Sequence, residues 1–260
     1  MTDIMVGKNR IQYEQVGKGP DLVLLPTLLA EMSVYDKVID ELSHFRRVTR
    51  FNFPGFGSST GPINQNLEDY AKLIYESMNV LNLPTNTDLL GNGFGGFVAV
   101  TFSICYGNAI NKLILVDTGA GFPESGMGAL YNLAENAKNK GMDSIIEAAL
   151  KRMFPDDFID SNPIIVEERR MKLKEADPQL FANAALSLTN LDNRPKLKDI
   201  KNQCLIVVGL EDKTTPPDLS YELHQGISQS ELIELPGIGH CPQLQDPEAF
   251  LNAVLPFLQP

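Results

Sequence analysis

The alternation of apolar and polar positions predicts strands and helices that follow one another along the chain. Two strand-like runs flank Gly7-Lys8-Asn9 and predict a hairpin near the N-terminus. The run "DLVLLP", Asp21 to Pro26, is almost continuously apolar, as expected for a strand that is covered on both faces. Apolar positions after Asn66 recur at helical spacing and acids follow this residue, so Asn66 is predicted to cap a helix.

The same alternation continues to the end of the chain, with one interruption. Further strands are predicted at 47–53, 87–90, 112–117, 204–209 and 231–235, and further helices at 33–42, 94–106, 217–225 and 247–258. Residues 122–194 show helical stripes without a strand pattern. Strands that alternate with helices imply a mostly parallel sheet with helices on both faces, an α/β fold. We therefore predict a core domain built from residues 1–121 and 195–260, with 122–194 inserted as a helical cap.

Composition narrows the class of protein. The net charge is −11, and the basic clusters are limited to Arg46-Arg47 and Arg169-Arg170, which argues against nucleic-acid binding. Three widely separated cysteines fit a reducing cytoplasm better than a disulfide framework, and their spacing is unlike that of a zinc site. The N-terminal residues lack a signal-peptide core, and no apolar run reaches the roughly 18 residues of a membrane helix. We expect a cytoplasmic protein that acts on a small molecule, with no nucleic-acid or membrane partner, no metal and no cofactor. The composition does not indicate an oligomeric state.

The stretch "DLLGNGFGGF" supports two interpretations. Gly91, Gly93 and Gly96 match the G-x-G-x-x-G fingerprint of dinucleotide-binding enzymes, and Asp117 would be the acid that binds the ribose. The same residues also frame the G-x-S-x-G turn of serine hydrolases, with Gly93 at the position of the serine. The fingerprint normally belongs to the first strand of its domain, whereas several predicted strands precede this stretch. We therefore favour the hydrolase interpretation.

Two further residues follow the chain order of that fold, which is nucleophile, acid and then histidine. Asp212 comes after one predicted strand, and His240 comes after the next, in a loop before the last helix. An acid and a histidine placed after neighbouring strands are rarely accidental. Glu211 is a second candidate for the acid, and Asp117 a third.

The sequence resembles the α/β-hydrolases, especially the esterase and enol-lactonase branch with a helical cap. The resemblance covers nearly the whole chain and is carried by "LLGNGFGG", "FNFPGFGSS", "GLEDKTTPP" and "GIGHCPQLQDPEAF". It implies an α/β-hydrolase fold in which Gly93 occupies the nucleophile position, Asp212 is the acid and His240 the base. By analogy, the backbone N–H groups of Phe94 and Leu28 form the oxyanion hole.

The chain departs from this family at two places. Gly93 has no side chain, so no acyl-enzyme can form on it. Pro26-Thr27 replaces the His-Gly pair that leads into the oxyanion hole, and we assign Thr27 to substrate binding because its hydroxyl is a candidate donor there. Among other nucleophiles, Cys241 adjoins His240 but is expected to point away from it. Ser58 and Ser59 are expected to begin a turn or helix.

Three hypotheses about function follow from these departures. The first is a hydrolase of a small ester, lactone or related carbonyl compound whose serine was lost, naturally or by design. In the second, His240 and Asp212 act as acid and base without a covalent nucleophile, as in lyases and cofactor-free oxygenases. The third is a binding protein without turnover. Retention of both residues favours catalysis, because a binding pocket has no evident need for an oriented base.

Overall fold

The computed structural model describes residues 2–63 and 65–259, and a single eight-stranded sheet is at its centre. The strands are β1 Thr2–Val6, β2 Asn9–Gly17, β3 Asp21–Leu25, β4 Arg47–Phe51, β5 Asp88–Asn92, β6 Lys112–Val116, β7 Gln203–Gly209 and β8 Ser230–Leu235. The helices are α1 Ile39–Ser43, α2 Leu67–Val80, α3 Phe94–Tyr106, α4 Glu124–Lys140, α5 Ile146–Met153, α6 Asp156–Ser161, α7 Pro163–Lys174, α8 Pro178–Ser187, α9 Pro217–Gly226, α10 Pro242–Gln245 and α11 Pro247–Leu258.

The strand order is β1-β2-β4-β3-β5-β6-β7-β8, and the sheet is antiparallel at one end only. β1 pairs with β2 and β2 with β4 in antiparallel register, whereas every pairing from β4 across to β8 is parallel. The predicted α/β-hydrolase fold, with its mostly parallel sheet and flanking helices, is confirmed. Because parallel strands end at the same edge, the loops after β3, β5, β7 and β8 converge there. These loops carry Thr27, Gly93, Asp212 and His240.

The centre of the sheet packs tightly against α3. Leu22 to Leu25 of β3 are fully buried, and α3 is buried from Phe94 through Ser103. A β-carbon on Gly91 would collide with the carbonyl of Gly95, and one on Gly95 would collide with the carbonyl of Leu25. Gly91, which belongs to the dinucleotide-like fingerprint, and Gly95, which does not, thus let the helix backbone approach the strands closely.

Most predicted elements occur within a few residues of their expected bounds, and Asn66 caps α2 by accepting a hydrogen bond from the Glu68 N–H. The helix predicted at 33–42 is wrong in part, since the segment forms a 3₁₀ turn, Met32–Tyr35, followed by the short α1. Tyr35 is fully buried and donates its hydroxyl hydrogen to the carbonyl of Leu25. This tertiary anchor outweighs the helical periodicity of the segment.

The segment between β6 and β7 contributes the helices α4 to α8. Backbone hydrogen bonds tie it to the rest of the chain near the sheet edge: the His240 N–H donates to the Met153 carbonyl, and the Asp177 N–H donates to the Gly55 carbonyl. Its division from the core as a separate cap domain stays a prediction. Within residues 2–63 and 65–259, none of the helices combines the length and apolarity needed to cross a bilayer.

Candidate active site

A buried histidine and a buried carboxylate form the centre of the site. His240 Nδ1 lies 2.8 Å from Asp212 Oδ2, and both residues are at most 3% exposed. Asp212 Oδ1 accepts the backbone N–H groups of Thr214 at 2.7 Å and Thr215 at 3.1 Å. Because an ionised carboxylate only accepts hydrogen bonds, the proton belongs on Nδ1, and Nε2 is left as the acceptor.

Asn92, the last residue of β5, holds the loop that carries this histidine. Its amide nitrogen donates to the carbonyl oxygens of His240 at 3.0 Å and Val116 at 3.2 Å, and its amide oxygen accepts from Gln243 Nε2 at 2.9 Å. All of these groups are buried. Asn92 was not among the site residues predicted from the sequence. The one available signal was an amide side chain at a strand end, inside the motif "GNG".

Thr27 supplies the hydrogen-bond partner of the other ring nitrogen. Its Oγ1 lies 2.9 Å from His240 Nε2, in a buried contact. The surrounding turn is closed by hydrogen bonds from the Gly95 N–H to the Pro26 carbonyl and from the Ala30 N–H to the Thr27 carbonyl. From the sequence, Thr27 was predicted to bind substrate, and its bond to His240 was not predicted. The signal for it was a hydroxyl on the loop after β3, together with a glycine at position 93.

Gly93 occupies the turn between β5 and α3, with φ 54° and ψ −118°. Such angles are readily available to glycine only. Its N–H donates to the Val116 carbonyl at 3.0 Å, and its carbonyl accepts the Thr118 hydroxyl at 2.9 Å. A β-carbon at this position would lie 2.6 Å from His240 Nε2 and 2.8 Å from Thr27 Cβ. The space beside the histidine is therefore already filled.

Two backbone N–H groups without a protein acceptor among the described residues belong to residues that line one cavity, and such groups are candidates for stabilising negative charge there. Phe94 is the first residue of α3, and Leu28 follows Thr27 in the loop after β3; both line the same cavity. Among residues 2–63 and 65–259, neither N–H has a protein acceptor. The N-terminus of a helix also carries a partial positive charge, which favours an anion at Phe94.

A cavity of about 430 Å³ opens above these groups, which is large enough for a small organic molecule. Most of its lining is apolar: Leu28, Leu29, Phe94, Phe97, Phe122, Leu130, Leu133, Leu188 and Leu219. Charged residues also line it, namely Arg152, Lys213 and Asp218. The cavity is thus suited to a mainly apolar ligand with a polar group near His240.

Asp117 directly follows β6 and is fully buried. Its Oδ1 accepts the Gly209 N–H at 2.7 Å, whereas its Oδ2 has no hydrogen-bond partner within the described part of the chain. Burial raises the pKa of Asp117 well above the ordinary value, the nearby Asp212 raises it further, and the Gly209 N–H opposes the shift. The Thr215 hydroxyl lies 2.7 Å from the Asp117 carbonyl and 2.6 Å from Asp212 Oδ2, which links the two loops.

Over the residues that the structure describes, none of the remaining sequence candidates has a hydrogen bond to His240. The side chain of Glu211, the second candidate for the acid, is exposed. Cys241 is fully buried, and burial, Asp117 and Asp212 all raise the pKa of its thiol, which keeps it protonated. A protonated thiol is a poor nucleophile.

Ser58 and Ser59 lie in the loop after β4 and have structural partners. The Ser58 hydroxyl donates to Asp3 at 2.6 Å, and the Ser59 hydroxyl donates to the Asn52 carbonyl at 2.8 Å. Among residues 2–63 and 65–259, no three His, Cys, Asp or Glu side chains lie close enough together to hold a metal ion.

Comparison with known proteins assigns the chain to a family. The model of the alpha/beta hydrolase family matches residues 22–253. The chain belongs to this family. The chain is 25% identical to a pimeloyl-[acyl-carrier protein] methyl ester esterase of Nitrosospira multiformis, over 97% of the chain and 99% of that protein. It is also 25% identical to 3-oxoadipate enol-lactonase 2 of Acinetobacter baylyi, over 94% of the chain and 91% of that protein.

A solved structure agrees with the fold of this alpha/beta hydrolase. The enol-lactonase from Burkholderia xenovorans LB400 superposes with a TM-score of 0.94 at 24% identity, covering 99% of each chain. The eight strands and the loops that meet at their carboxyl edge therefore follow a known hydrolase scaffold.

Proposed function

We propose that this alpha/beta hydrolase cleaves small carboxylic esters or lactones, with His240 and Asp212 as its catalytic base and acid. The observation that carries the proposal is the buried 2.8 Å contact between Asp212 and Nδ1, which leaves Nε2 as the proton acceptor on a residue that lines the cavity. A histidine oriented in this way can accept a proton from an attacking hydroxyl and return it to a leaving group.

Relatives support the choice of substrate class. The matched proteins include a methyl ester esterase and an enol-lactonase, each aligned over nearly its whole length. The apolar lining of the cavity fits an acyl chain or a lactone ring. In this proposal, the N–H groups of Phe94 and Leu28, for which the described residues offer no acceptor, bind the oxyanion that forms when a carbonyl carbon is attacked.

Each residue then has a defined task. Asp212 holds the imidazole through Nδ1 and stabilises the imidazolium that forms when Nε2 takes a proton. His240 transfers that proton to the leaving alcohol. Phe94 and Leu28 bind the carbonyl oxygen through backbone N–H groups and stabilise the tetrahedral intermediate.

The test is turnover of p-nitrophenyl acetate, p-nitrophenyl butyrate and dihydrocoumarin by the purified chain. His240→Ala should lower kcat/KM by about 10³-fold or more, and Asp212→Asn by up to about 10⁴-fold because it favours the wrong tautomer. His44→Ala is the matched control, since His44 is exposed and is not among the residues that line the cavity. Equal rates in the parent, His240→Ala and Asp212→Asn would refute catalysis by this pair and favour a binding protein.

A further inference from the structure

We infer that Thr27 is the nucleophile of this site, supplied by the loop after β3 instead of the turn after β5. The inference rests on the proposed ester or lactone hydrolysis and names the atom that attacks the carbonyl carbon. Its basis is the buried 2.9 Å contact between Thr27 Oγ1 and His240 Nε2, which completes a chain of hydrogen bonds from Asp212 to a hydroxyl. The nucleophile, base and acid of a hydrolase triad are therefore all present.

The hydroxyl of Thr27 fills the space that a side chain at position 93 would need. A β-carbon on Gly93 would lie 2.6 Å from His240 Nε2, 2.8 Å from Thr27 Cβ and closer still to Thr27 Oγ1. Separations below 3.0 Å essentially do not occur for real β-carbons. Thr27 and a side chain at position 93 therefore exclude each other, and a water molecule beside Nε2 would compete with Thr27 for the same place.

Thr27 is held in position before any substrate arrives. The residue is 2% exposed, and a threonine side chain has few accessible χ1 rotamers because it is branched at Cβ. Pro26 restricts the backbone on one side, and the hydrogen bond from the Ala30 N–H to the Thr27 carbonyl closes the turn on the other. A hydroxyl fixed within hydrogen-bond reach of its base is the arrangement that nucleophilic catalysis requires.

The two candidate oxyanion donors are compatible with a nucleophile on the loop after β3 instead of the turn after β5. In this fold one donor is the N–H of the residue after the nucleophile, and the other comes from the loop after β3. Leu28 follows Thr27, and Phe94 follows Gly93, so the same two N–H groups remain in place when the nucleophile moves from one loop to the other. Both residues line the cavity beside His240.

Besides the ester or lactone, water is the only reactant that the proposed reaction needs. Thr27 Oγ1 forms a bond to the carbonyl carbon, its proton passes to His240 Nε2, and the carbonyl electron pair moves to the oxygen held by Leu28 and Phe94. The bond to the leaving oxygen then breaks, and that oxygen takes the proton from His240. Water attacks the resulting threonine ester and gives a proton to His240, which returns it to Thr27 Oγ1 as the carboxylic acid leaves.

The first experiment traps the nucleophile. An alkyl fluorophosphonate is incubated with the full chain, and the phosphonylated peptide is sequenced by mass spectrometry. We expect a bond between Thr27 Oγ1 and phosphorus, with loss of fluoride, and we expect His240→Ala to abolish it. Thr85→Ala is the control for labelling, because Thr85 is exposed and lies before β5 at the opposite edge of the sheet. A parent chain without any adduct at Thr27 overturns the inference.

The second experiment measures kcat/KM for p-nitrophenyl acetate. Thr27→Ala should lose about as much as His240→Ala, about 10³-fold or more, and the double variant should be no slower than either single one, because members of a triad act as a unit. Thr27→Ser keeps the hydroxyl and should retain activity within about tenfold and label at the same peptide. Circular dichroism and thermal melting check that each variant is folded.

The two experiments distinguish a wrong nucleophile assignment from a wrong proposed function. If turnover depends on His240 but Thr27→Ala is as fast as the parent or faster, water is the nucleophile, and the inference falls while the proposed function stands. If no ester or lactone is turned over, the proposed function falls. A His240-dependent adduct on Thr27 would still support the nucleophile assignment in that case, and its absence would overturn it.

Discussion

A β-carbon added to Gly93 would lie 2.8 Å from Cβ of Thr27, and closer to its hydroxyl oxygen. The two positions belong to loops that follow β5 and β3, neighbouring strands of the sheet. Only one of them can present a side chain to His240 in the present geometry. Gly93 and Thr27 are therefore one structural feature.

The single substitution Gly93→Ser should destabilise the fold. Gly93→Ser places a side chain at φ 54° and against Thr27, so we expect the free energy of unfolding to fall by about 2–4 kcal/mol, combining backbone strain with overpacking. Denaturant titration measures this loss, and fluorophosphonate should not label residue 93. Gly128→Ser is the matched control, because a β-carbon at this exposed helical glycine meets nothing within 4 Å. An unchanged stability with strong labelling at 93 would contradict the steric argument.

Removing the Thr27 side chain should relieve the clash that Gly93→Ser creates. Since Thr27 Cβ itself approaches position 93, alanine does not clear the space and glycine is needed. We expect Thr27→Gly/Gly93→Ser to be labelled at position 93 and to hydrolyse p-nitrophenyl acetate at least about tenfold faster than Gly93→Ser alone, because the hydroxyl regains access to His240. Equal rates for the single and double variants would show that the two positions do not compete.

The pKa of Asp117 should be visible in the pH dependence of stability. Because this pKa is raised in the folded protein, the native state keeps a proton that the unfolded chain has lost, so stability decreases as pH rises. The decrease begins near the ordinary Asp pKa of about 4 and ends at the raised folded value. Asp117→Asn removes the titrating group and therefore this decrease in stability. The amide oxygen of the asparagine can still accept the Gly209 N–H.

The measurement is the difference in unfolding free energy between Asp117→Asn and the parent across this pH range. It should shift in favour of the variant by up to about 1.4 kcal/mol per pH unit inside the window and stay constant above it. Asp160→Asn, at an exposed position of α6, is the control and should give a constant difference. A constant difference for Asp117→Asn as well would refute the raised pKa.

Thiol reagents should leave catalysis intact. Burial raises the pKa of all three thiols, but Cys105 is exposed to reagent whereas Cys204 and Cys241 are buried. Iodoacetamide near neutral pH should therefore modify Cys105 alone in the folded chain and all three cysteines in denaturant. Mass spectrometry counts the adducts and an ester assay follows activity. Rapid modification of Cys241 with loss of activity would point to this thiol as a participant.

Asn92 should prove important for both stability and rate. Asn92→Ala leaves buried partners at His240, Val116 and Gln243 unsatisfied, and we expect the free energy of unfolding to fall by about 2–4 kcal/mol. The histidine loop loses its anchor, so kcat should fall more than KM rises. The exposed Asn132→Ala is the control. Unchanged kcat in a destabilised Asn92→Ala would limit this residue to a structural role.

The sequence by itself determined the order of the elements and the family of the fold. Periodicity placed α3 at its observed bounds, and the cap residue Asn66 marked the start of α2, because helix spacing and capping depend on residues close together in the chain. The short motifs around Gly93, Asp212 and His240 identified loops that follow strands. In a parallel sheet such loops must meet at one edge, so their convergence was also predictable.

Only the tertiary structure decided which side chains touch. The bond between Thr27 and His240 joins residues that are far apart in sequence, and it depends on the empty position at Gly93 as much as on the hydroxyl itself. Asn92 and Asp117 likewise act through contacts with other loops. Local pattern carries no information about such contacts, because their distances are set by how closely β3, β5 and α3 pack. The same packing places the hydroxyl of Thr27, and no side chain from position 93, against the histidine.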